Sequence, residues 1–221
     1  MYLTQTKAKL QLGQALVLRI DPRKVTHHAG SKFPISRTIE QKLKGFPKPI
    51  RKGASQLSTR YHPFILADDA LPPVTPIELL EKDRRVKDLL SSSHYSDSLW
   101  YQSLLAELTT KGKTRHKGIK ITSQDELNRF FETYVWELVA SMRRDGYVER
   151  AGSDTGTAFI LSNGVLVKSA SADHRFLVAR HLGVGDFPLT VMGVCRGWLE
   201  STGTTIEHIA PALKNIAERY R

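Results

Sequence analysis

The residues best suited to bind a ligand or to catalyse a reaction form a short polar stretch, Ser171-Ala172-Asp173-His174-Arg175. This stretch lies directly before a segment with periodic apolar residues. Small residues and good capping types at this point predict a helix start, so that the free N–H groups of the first turn point outward. A helix N-terminus carries partial positive charge and binds anions, phosphate in particular. His174 adds an imidazole and Arg175 a fixed planar cation. The stretch is therefore a candidate phosphate-binding site.

Two further side chains could join this chemistry. The carboxylate of Asp173 could cap the helix, help to position Mg²⁺, or act as a base that takes a proton from an attacking hydroxyl. Lys168 lies a few residues earlier, where a lone lysine normally faces water; here it could reach a phosphate. The other histidines are scattered without the spacing of a zinc site, so no structural metal is predicted.

Three predicted elements must position the polar stretch. Thr157–Leu161 and Val165–Lys168 are β-rich, and the Asn163-Gly164 pair between them is typical of a type I′ hairpin turn. His174–Leu182 has apolar residues at helical spacing and is followed by a glycine at the C-cap position. Phe187–Val194 is again β-rich. The predicted order is hairpin, tight polar turn, helix and strand.

The segment SADHRFLVARHLGVGDFPLTVMGV, residues 171–194, resembles the ParB/sulfiredoxin-like fold, whose box is a Gly-x-His-Arg or Gly-Glu-Arg-Arg turn opening a helix. The preceding Leu138–Val148 resembles the helix-then-Gly segment of that family, and the likeness covers about residues 124–198. It implies an α+β fold with a small mixed sheet and packed helices. The family's usual Gly is Ala172 here, which narrows the space for a phosphate. Asp173 stands where sulfiredoxins carry their catalytic Cys, so sulfiredoxin chemistry is not expected.

The resemblance also implies a function. Members with the His-Arg box but no helix-turn-helix include nucleotide-dependent kinases similar to the free serine kinase, which implies a nucleotide (ATP, ADP or CTP) with Mg²⁺ and phosphoryl transfer to a small-molecule hydroxyl. Glu149 stands where the family often has a polar residue facing the nucleotide. The residues expected to hold the nucleotide are Lys168, Ser171, Ala172, His174 and Arg175. Those expected in catalysis are Asp173, His174 and Glu149, with Asp173 also at the metal.

The positive charge of the chain is concentrated at one end. The formal net charge is +11, and residues 1–60 hold 13 Lys and Arg but only two acidic residues, Asp21 and Glu40. Such asymmetry favours a polyanionic partner or an anionic substrate, although a solvated basic extension explains it equally well. A ParB-like DNA-binding protein or nuclease is therefore the alternative function, with Tyr2, Phe33 and Phe46 available to stack on bases. A non-catalytic nucleotide switch is the third hypothesis.

Breaks in composition divide the chain into three expected parts. Residues 1–75 form a basic region with a strand at Ala15–Ile20 and irregular loops, residues 76–122 a helical hairpin, and residues 123–221 the core with a C-terminal helix. Residues 25–60 show little periodicity and are predicted to be irregular, Thr75-Pro76 is predicted to begin the first helix of the hairpin, and the basic run 111–117 is predicted to be a loop. Ser123 with Glu126 predicts a capping box, and Pro211 predicts a kink or two short pieces in the C-terminal helix. Few residues follow the last strand, which removes a helix-turn-helix reader and centromere binding from the expectations. No apolar run reaches the ~18 residues of a membrane span, and a single cysteine agrees with a reducing compartment. A cytoplasmic location is expected.

Overall fold

The computed structural model describes residues 3–30, 34–116, 118–149, 155–169 and 171–221. Tyr2 and Phe33, two of the expected base-stacking residues, lie outside these ranges. The α-helices are α1 (Gln5–Leu12), α2 (Pro34–Lys42), α3 (Lys48–Tyr61), α4 (Glu81–Ser91), α5 (Leu99–Lys111), α6 (Gln124–Phe130), α7 (Glu137–Asp145), α8 (Asp173–Leu182), α9 (Arg196–Thr202) and α10 (Ile209–Arg219). The strands are β1 (Val17–Ile20), β2 (His27–His28), β3 (Ile65–Leu66), β4 (Thr75–Pro76), β5 (Thr114–His116), β6 (Ile119–Ile121), β7 (Gly156–Ile160), β8 (Leu166–Lys168) and β9 (Phe187–Cys195). The predicted α+β class is confirmed.

Seven strands form one mixed sheet, in the order β1-β9-β7-β8-β2-β4, with β3 also paired to β9. The long strand β9 runs parallel to β7, whereas the hairpin partners β7 and β8 are antiparallel. Strand β1 pairs with β9 at Phe187–Thr190 and β3 pairs with it at Val194 and Cys195. Both short strands therefore complete the β9 edge opposite β7.

One apolar core joins elements from the whole length of the chain. Its buried members include Leu18 on β1, Trp100 on α5, Phe131 after α6 and Leu213 on α10. Helix α8 lies in this core, because Phe176, Leu177, Val178 and Ala179 are all buried. Since burial of apolar area supplies most of the folding free energy, this packing fixes where α8 begins and hence where the polar turn lies.

The hairpin is present, but its turn differs from the predicted type. Gly164 has a φ of 76°, while Asn163 does not have a positive φ, as type I′ would require. The amide of Gly164 donates to the Leu161 carbonyl at 2.8 Å, and the Leu161 amide donates to Val165 at 2.9 Å. The connection is therefore a type I turn followed by a glycine in the left-handed region.

Three local predictions from the first half of the chain are wrong. Residues 25–60, predicted to be irregular, contain α2 and α3; Pro34 begins α2 and Pro49 lies in the first turn of α3, where proline is compatible with a helix. Thr75-Pro76 does not begin a helix but pairs with His27-His28, and α4 begins only at Glu81. The basic run 111–117, predicted to be a loop, includes Thr114–His116, which pairs with Ile119–Ile121 as a small hairpin.

Candidate functional site

The turn before α8 has an unusual backbone. Ser171 and Ala172 have φ values of 75° and 52°, and they are the only non-glycine residues with positive φ among those described. Positive φ is costly for residues with a Cβ, and alanine has no side-chain hydrogen bond to compensate. Glycine adopts such φ values without this cost, yet the position is occupied by alanine. Such strained positions persist where the surrounding structure holds them in place.

Buried Lys168 holds this turn. Its side chain is fully buried, and its ammonium group donates to the Ser169 carbonyl, to the Ser171 carbonyl at 2.7 Å and to the Asp173 carboxylate at 3.0 Å. Burial lowers the pKa of Lys168, and the nearby Asp173 carboxylate opposes that shift. With acceptors on Ser169, Ser171 and Asp173 among the described residues, Lys168 is an anchor of the turn rather than a lysine directed at solvent.

The carboxylate of Asp173 is the centre of a charged cluster. One oxygen accepts from Lys168 and lies 3.5 Å from His28 Nε2, while the other accepts from Lys82 at 2.7 Å. Burial alone would raise the pKa of Asp173, but the His28 hydrogen bond and the two lysines hold it far below its usual range. The predicted helix cap is wrong: Asp173 is the first helical residue, and the N-cap position is Ala172, without a side-chain hydrogen bond.

The side chains around Asp173 decide whether Mg²⁺ could bind at the predicted position. Mg²⁺ prefers oxygen ligands, yet this carboxylate is bound by two ammonium groups that repel a cation. In the described ranges, no group of three or more His, Cys, Asp or Glu side chains could hold a metal ion. The surroundings of Asp173 therefore do not fit Mg²⁺.

His174 projects into an aromatic cluster. Its ring is stacked on Trp100, with centroids 4.6 Å apart and planes at 13°, and lies 5.1 Å from the ring of His116. Trp100 is 2% exposed, so this stack joins the first turn of α8 to α5. Stacking of this kind stabilises the packing and also fixes the imidazole beside the turn.

Arg175 lies on the other side of the helix start, in a cavity of about 210 Å³. We call this the Arg175 cavity; its lining residues are Thr133, Tyr134, Glu137, Leu138, Ser141, Met142, Gly146, Tyr147, Val148 and Arg175. Among the described residues, the Arg175 guanidinium makes no ion pair, and the buried Tyr147 hydroxyl oxygen has no hydrogen-bond partner. Two of the lining residues belong to a π-helical turn, Phe131–Trp136, a deviation often found at functional sites.

The other sequence-predicted catalytic residue, Glu149, belongs to a different contact. Its carboxylate pairs with Arg19 at 3.4 Å, and Arg19 also pairs with Asp186 at 2.9 Å. All three side chains are at least 43% exposed. Glu149 therefore lies in an exposed charge cluster beside β1, and no hydrogen bond or ion pair joins it to the described residues of the turn.

Some of the predicted site residues lie together in the structure, and the others lie apart from them. Lys168, Ser171, Ala172 and Asp173 meet at the turn, whereas His174 and Arg175 leave it in different directions. Sequence reasoning missed His28 and Lys82, which lie 145 and 91 residues from Asp173, and also missed Glu137 and Tyr147. No short-range spacing connects these residues. One sequence signal was present: the apolar strand Val165–Lys168 ends in a lysine, and an aspartate follows five residues later. That spacing could have indicated the Lys168–Asp173 ion pair.

Comparison with known proteins identified no relative of this chain. No protein-family model matches the chain. No curated protein and no solved structure matches it either. Within the described ranges, no helix combines the length and apolar character needed to cross a membrane.

Proposed function

We propose that the protein binds the phosphate groups of a nucleotide at the N-terminus of α8, and that its reaction is phosphoryl transfer to a small-molecule hydroxyl. The observation that supports this most is the Ser171-Ala172 turn held by Lys168. Because the C=O and N–H of a trans peptide point in opposite directions, the bond from Lys168 to the Ser171 carbonyl turns the Ala172 amide away from the lysine. Consecutive amides arranged in this way form a concavity that favours anions.

The first turn of α8 extends this arrangement. The first helical hydrogen bond runs from the Phe176 amide to the Ala172 carbonyl at 2.9 Å, so the amides of residues 173–175 lie outside the helical ladder. Arg175, also on this first turn, brings a planar cation to the Arg175 cavity and has no ion-pair partner among the described residues. Arginine binds phosphate through paired N–H groups, and this pairing would neutralise the ligand's charge.

The Arg175 cavity offers room for the rest of the ligand. Its volume of about 210 Å³ is below the range of typical small-molecule sites, but a neighbouring cavity of about 460 Å³ is lined by three of the same residues, Met142, Gly146 and Tyr147. Together the two volumes suit a nucleotide-sized molecule. The Tyr147 hydroxyl, which has no hydrogen-bond partner in the described part of the chain, could then donate to or accept from the ligand.

A general base for the acceptor hydroxyl is better supplied by Glu137 than by Asp173. Both oxygens of Asp173 are engaged by lysines, and its depressed pKa makes it a poor proton acceptor. Glu137 lines the Arg175 cavity and makes no ion pair among the described residues. A carboxylate that faces the same cavity as the phosphate-binding arginine is placed to accept a proton from a bound hydroxyl.

Calorimetric titration of the full chain with ATP, ADP and CTP, each with and without Mg²⁺, tests the binding step. We expect saturable binding by at least one nucleotide and a loss of about tenfold or more in Arg175→Ala, since charge-assisted hydrogen bonds are worth ~1.5–3 kcal/mol. The matched control is Arg84→Ala, which removes an exposed arginine from α4. Absence of binding, or equal effects of the two substitutions, contradicts the proposal.

A second measurement separates catalysis from binding. Conversion of the bound nucleotide is followed by ³¹P NMR with panels of hydroxyl-bearing acceptors, for the natural chain and for Glu137→Gln. We expect turnover that Glu137→Gln abolishes while its nucleotide affinity stays within a few-fold. Binding without turnover of any acceptor would support the nucleotide-switch hypothesis over the kinase.

A further inference from the structure

Helix α3 carries an outward apolar face. Ile50, Leu57 and Tyr61 are 52%, 55% and 67% exposed, and their spacing of seven and four residues places them on one side of the helix. Phe46, in the connection that precedes α3, is 54% exposed. Together these four residues are called the α3 apolar face. Exposed large apolar side chains scattered singly are ordinary, but an aligned set on one helix marks a binding surface.

The opposite side of α3 is fixed to the protein. Ser55, on the side of α3 opposite Ile50 and Leu57, is only 8% exposed. The Thr6 hydroxyl of α1 donates to the Arg60 carbonyl at 2.9 Å, and the Gln5 amide donates to the His62 carbonyl at 2.9 Å. The α3 apolar face is therefore presented outward by a helix whose inner side is docked.

Basic side chains surround this face. Those exposed on α2, α3 and their connection are Lys42, Lys44, Lys48, Lys52 and Arg60. None of them forms an ion pair with a described residue. Glu40 is the only acidic residue between Asp21 and Asp68. The surface thus combines apolar side chains with uncompensated positive charge.

We propose that the α3 apolar face and its basic surroundings dock on an anionic lipid bilayer. An amphipathic helix with lysines around an apolar face lies in the headgroup region, with its apolar side chains inserted and its lysines at the phosphates. Lysine suits this position because its alkyl stem follows apolar surroundings while the ammonium group reaches the headgroups. This docking is independent of the nucleotide site.

Two other partners fit the same surface less well. Nucleic acid would use the basic side chains, but aliphatic groups such as Ile50 and Leu57 gain nothing from a phosphate backbone. An acidic amphipathic peptide is normally received by a concave apolar groove, and the cavities described above are lined by residues outside α2 and α3. Aligned apolar side chains that project from one exposed helix match insertion into a bilayer.

Vesicle flotation of the full chain tests the proposal. Neutral phosphatidylcholine vesicles are compared with vesicles that contain 30% phosphatidylglycerol, at low and at physiological salt. We expect binding to the anionic vesicles only, with a partition coefficient that falls as salt rises, because screening weakens attraction to the lipid surface. Equal binding to both vesicle types, or no binding to either, overturns the proposal.

Paired substitutions locate the contact. Ile50→Ser with Leu57→Ser is expected to lower the partition coefficient at least tenfold, while Ile119→Ser with Leu79→Ser, at positions that are 50% and 72% exposed elsewhere, leaves it unchanged. Lys48→Gln with Lys52→Gln is expected to lower it severalfold, against Lys120→Gln with Lys214→Gln as the control. Thermal melts confirm that each variant is folded.

The control pairs also decide the outcome. If test and control pairs reduce vesicle binding alike, the surface is not the docking site. If the lysine pair abolishes binding to duplex DNA while anionic vesicles are not bound at all, the surface is a nucleic-acid contact and the bilayer proposal is wrong.

Discussion

The ammonium group of Lys168 and the carboxylate of Asp173 lie 3.0 Å apart, one at the end of β8 and the other at the first position of α8. The lysine side chain is 1% exposed and the aspartate side chain 13%. This buried ion pair closes the four-residue connection between β8 and α8 and fixes the direction in which α8 leaves the sheet. Substitutions can measure how much this ion pair stabilises the fold and what the Arg175 cavity binds.

Asp173→Asn is expected to lower the free energy of unfolding by about 3 kcal/mol, because it leaves the Lys168 ammonium group buried without an opposite charge. Urea denaturation at pH 7 measures the loss. Lys82→Gln removes a partner whose side chain is 47% exposed, and should cost under about 1 kcal/mol. A similar loss of unfolding free energy in both variants would mean that the buried Lys168–Asp173 pair stabilises the fold no more than the exposed Lys82 contact does.

The same carboxylate predicts a contribution that disappears in acid. Its folded-state pKa is depressed, so its stabilisation is fully present above the unfolded-state pKa of about 3.9 and is lost as the pH falls further. The difference in unfolding free energy between the natural chain and Asp173→Asn should be constant between pH 7 and pH 5 and shrink below about pH 4. A difference that already declines near neutral pH would assign the effect to another group.

Ala172→Gly is expected to raise the free energy of unfolding by about 0.5–1 kcal/mol, since glycine adopts a φ of 52° without the steric cost that alanine bears. Differential scanning calorimetry follows the change. Ala106→Gly, at an exposed interior position of α5, is the control and should lower stability by about 1 kcal/mol. Destabilisation by both substitutions would argue against strain at Ala172.

Tyr147→Phe is expected to leave stability unchanged or to raise it by up to about 1 kcal/mol, because it removes a buried hydroxyl that has no partner among the described residues. If that hydroxyl serves the nucleotide, the same variant should bind it severalfold more weakly. Tyr95→Phe is the contrasting control: its hydroxyl donates to Glu132 at 2.8 Å, so its loss should destabilise the fold. Thermal melts and calorimetric titration distinguish the two effects.

His174 can be tested by separating shape from polarity. His174→Ala removes the ring stacked on Trp100 and should cost about 1 kcal/mol, whereas His174→Phe keeps an aromatic ring there and should restore most of that loss. If the imidazole also contacts the ligand, His174→Phe regains stability but not nucleotide affinity. Equal affinity in His174→Phe and the natural chain would leave His174 with a packing role alone.

Local sequence signals predicted much of the second half of the fold. The helix expected at His174–Leu182 is present as α8, and Gly183 is its C-cap as predicted, although the expected Asp173 cap is not formed. Ser123 accepts the Glu126 amide at 3.2 Å, as a capping box requires, and α10 is preceded by a separate short turn at Ile206–His208, as Pro211 suggested. These features depend on a few neighbouring residues, so the sequence contains them directly.

The predictions that were wrong concern features that depend on residues far away in the sequence. Two-residue strands such as His27-His28 exist only because the edge of β8 accepts them, and no local pattern distinguishes them from a loop. The environment of Asp173 likewise comes from His28 and Lys82 on separate elements. For that reason the sequence indicated which side chains could take part in binding or catalysis, but not which of them are already paired with other charged side chains.

The edge of β9 that receives β1 and β3 has a practical consequence for any attempt to map the basic region. Deleting the first sixty residues would strip away Val17–Ile20 and leave main-chain amides and carbonyls between Phe187 and Thr190 bare. A shortened polypeptide would then misfold or aggregate whether or not its positive charge matters to a partner. Charge-neutralising exchanges in the intact chain are the means by which its electrostatics can be dissected.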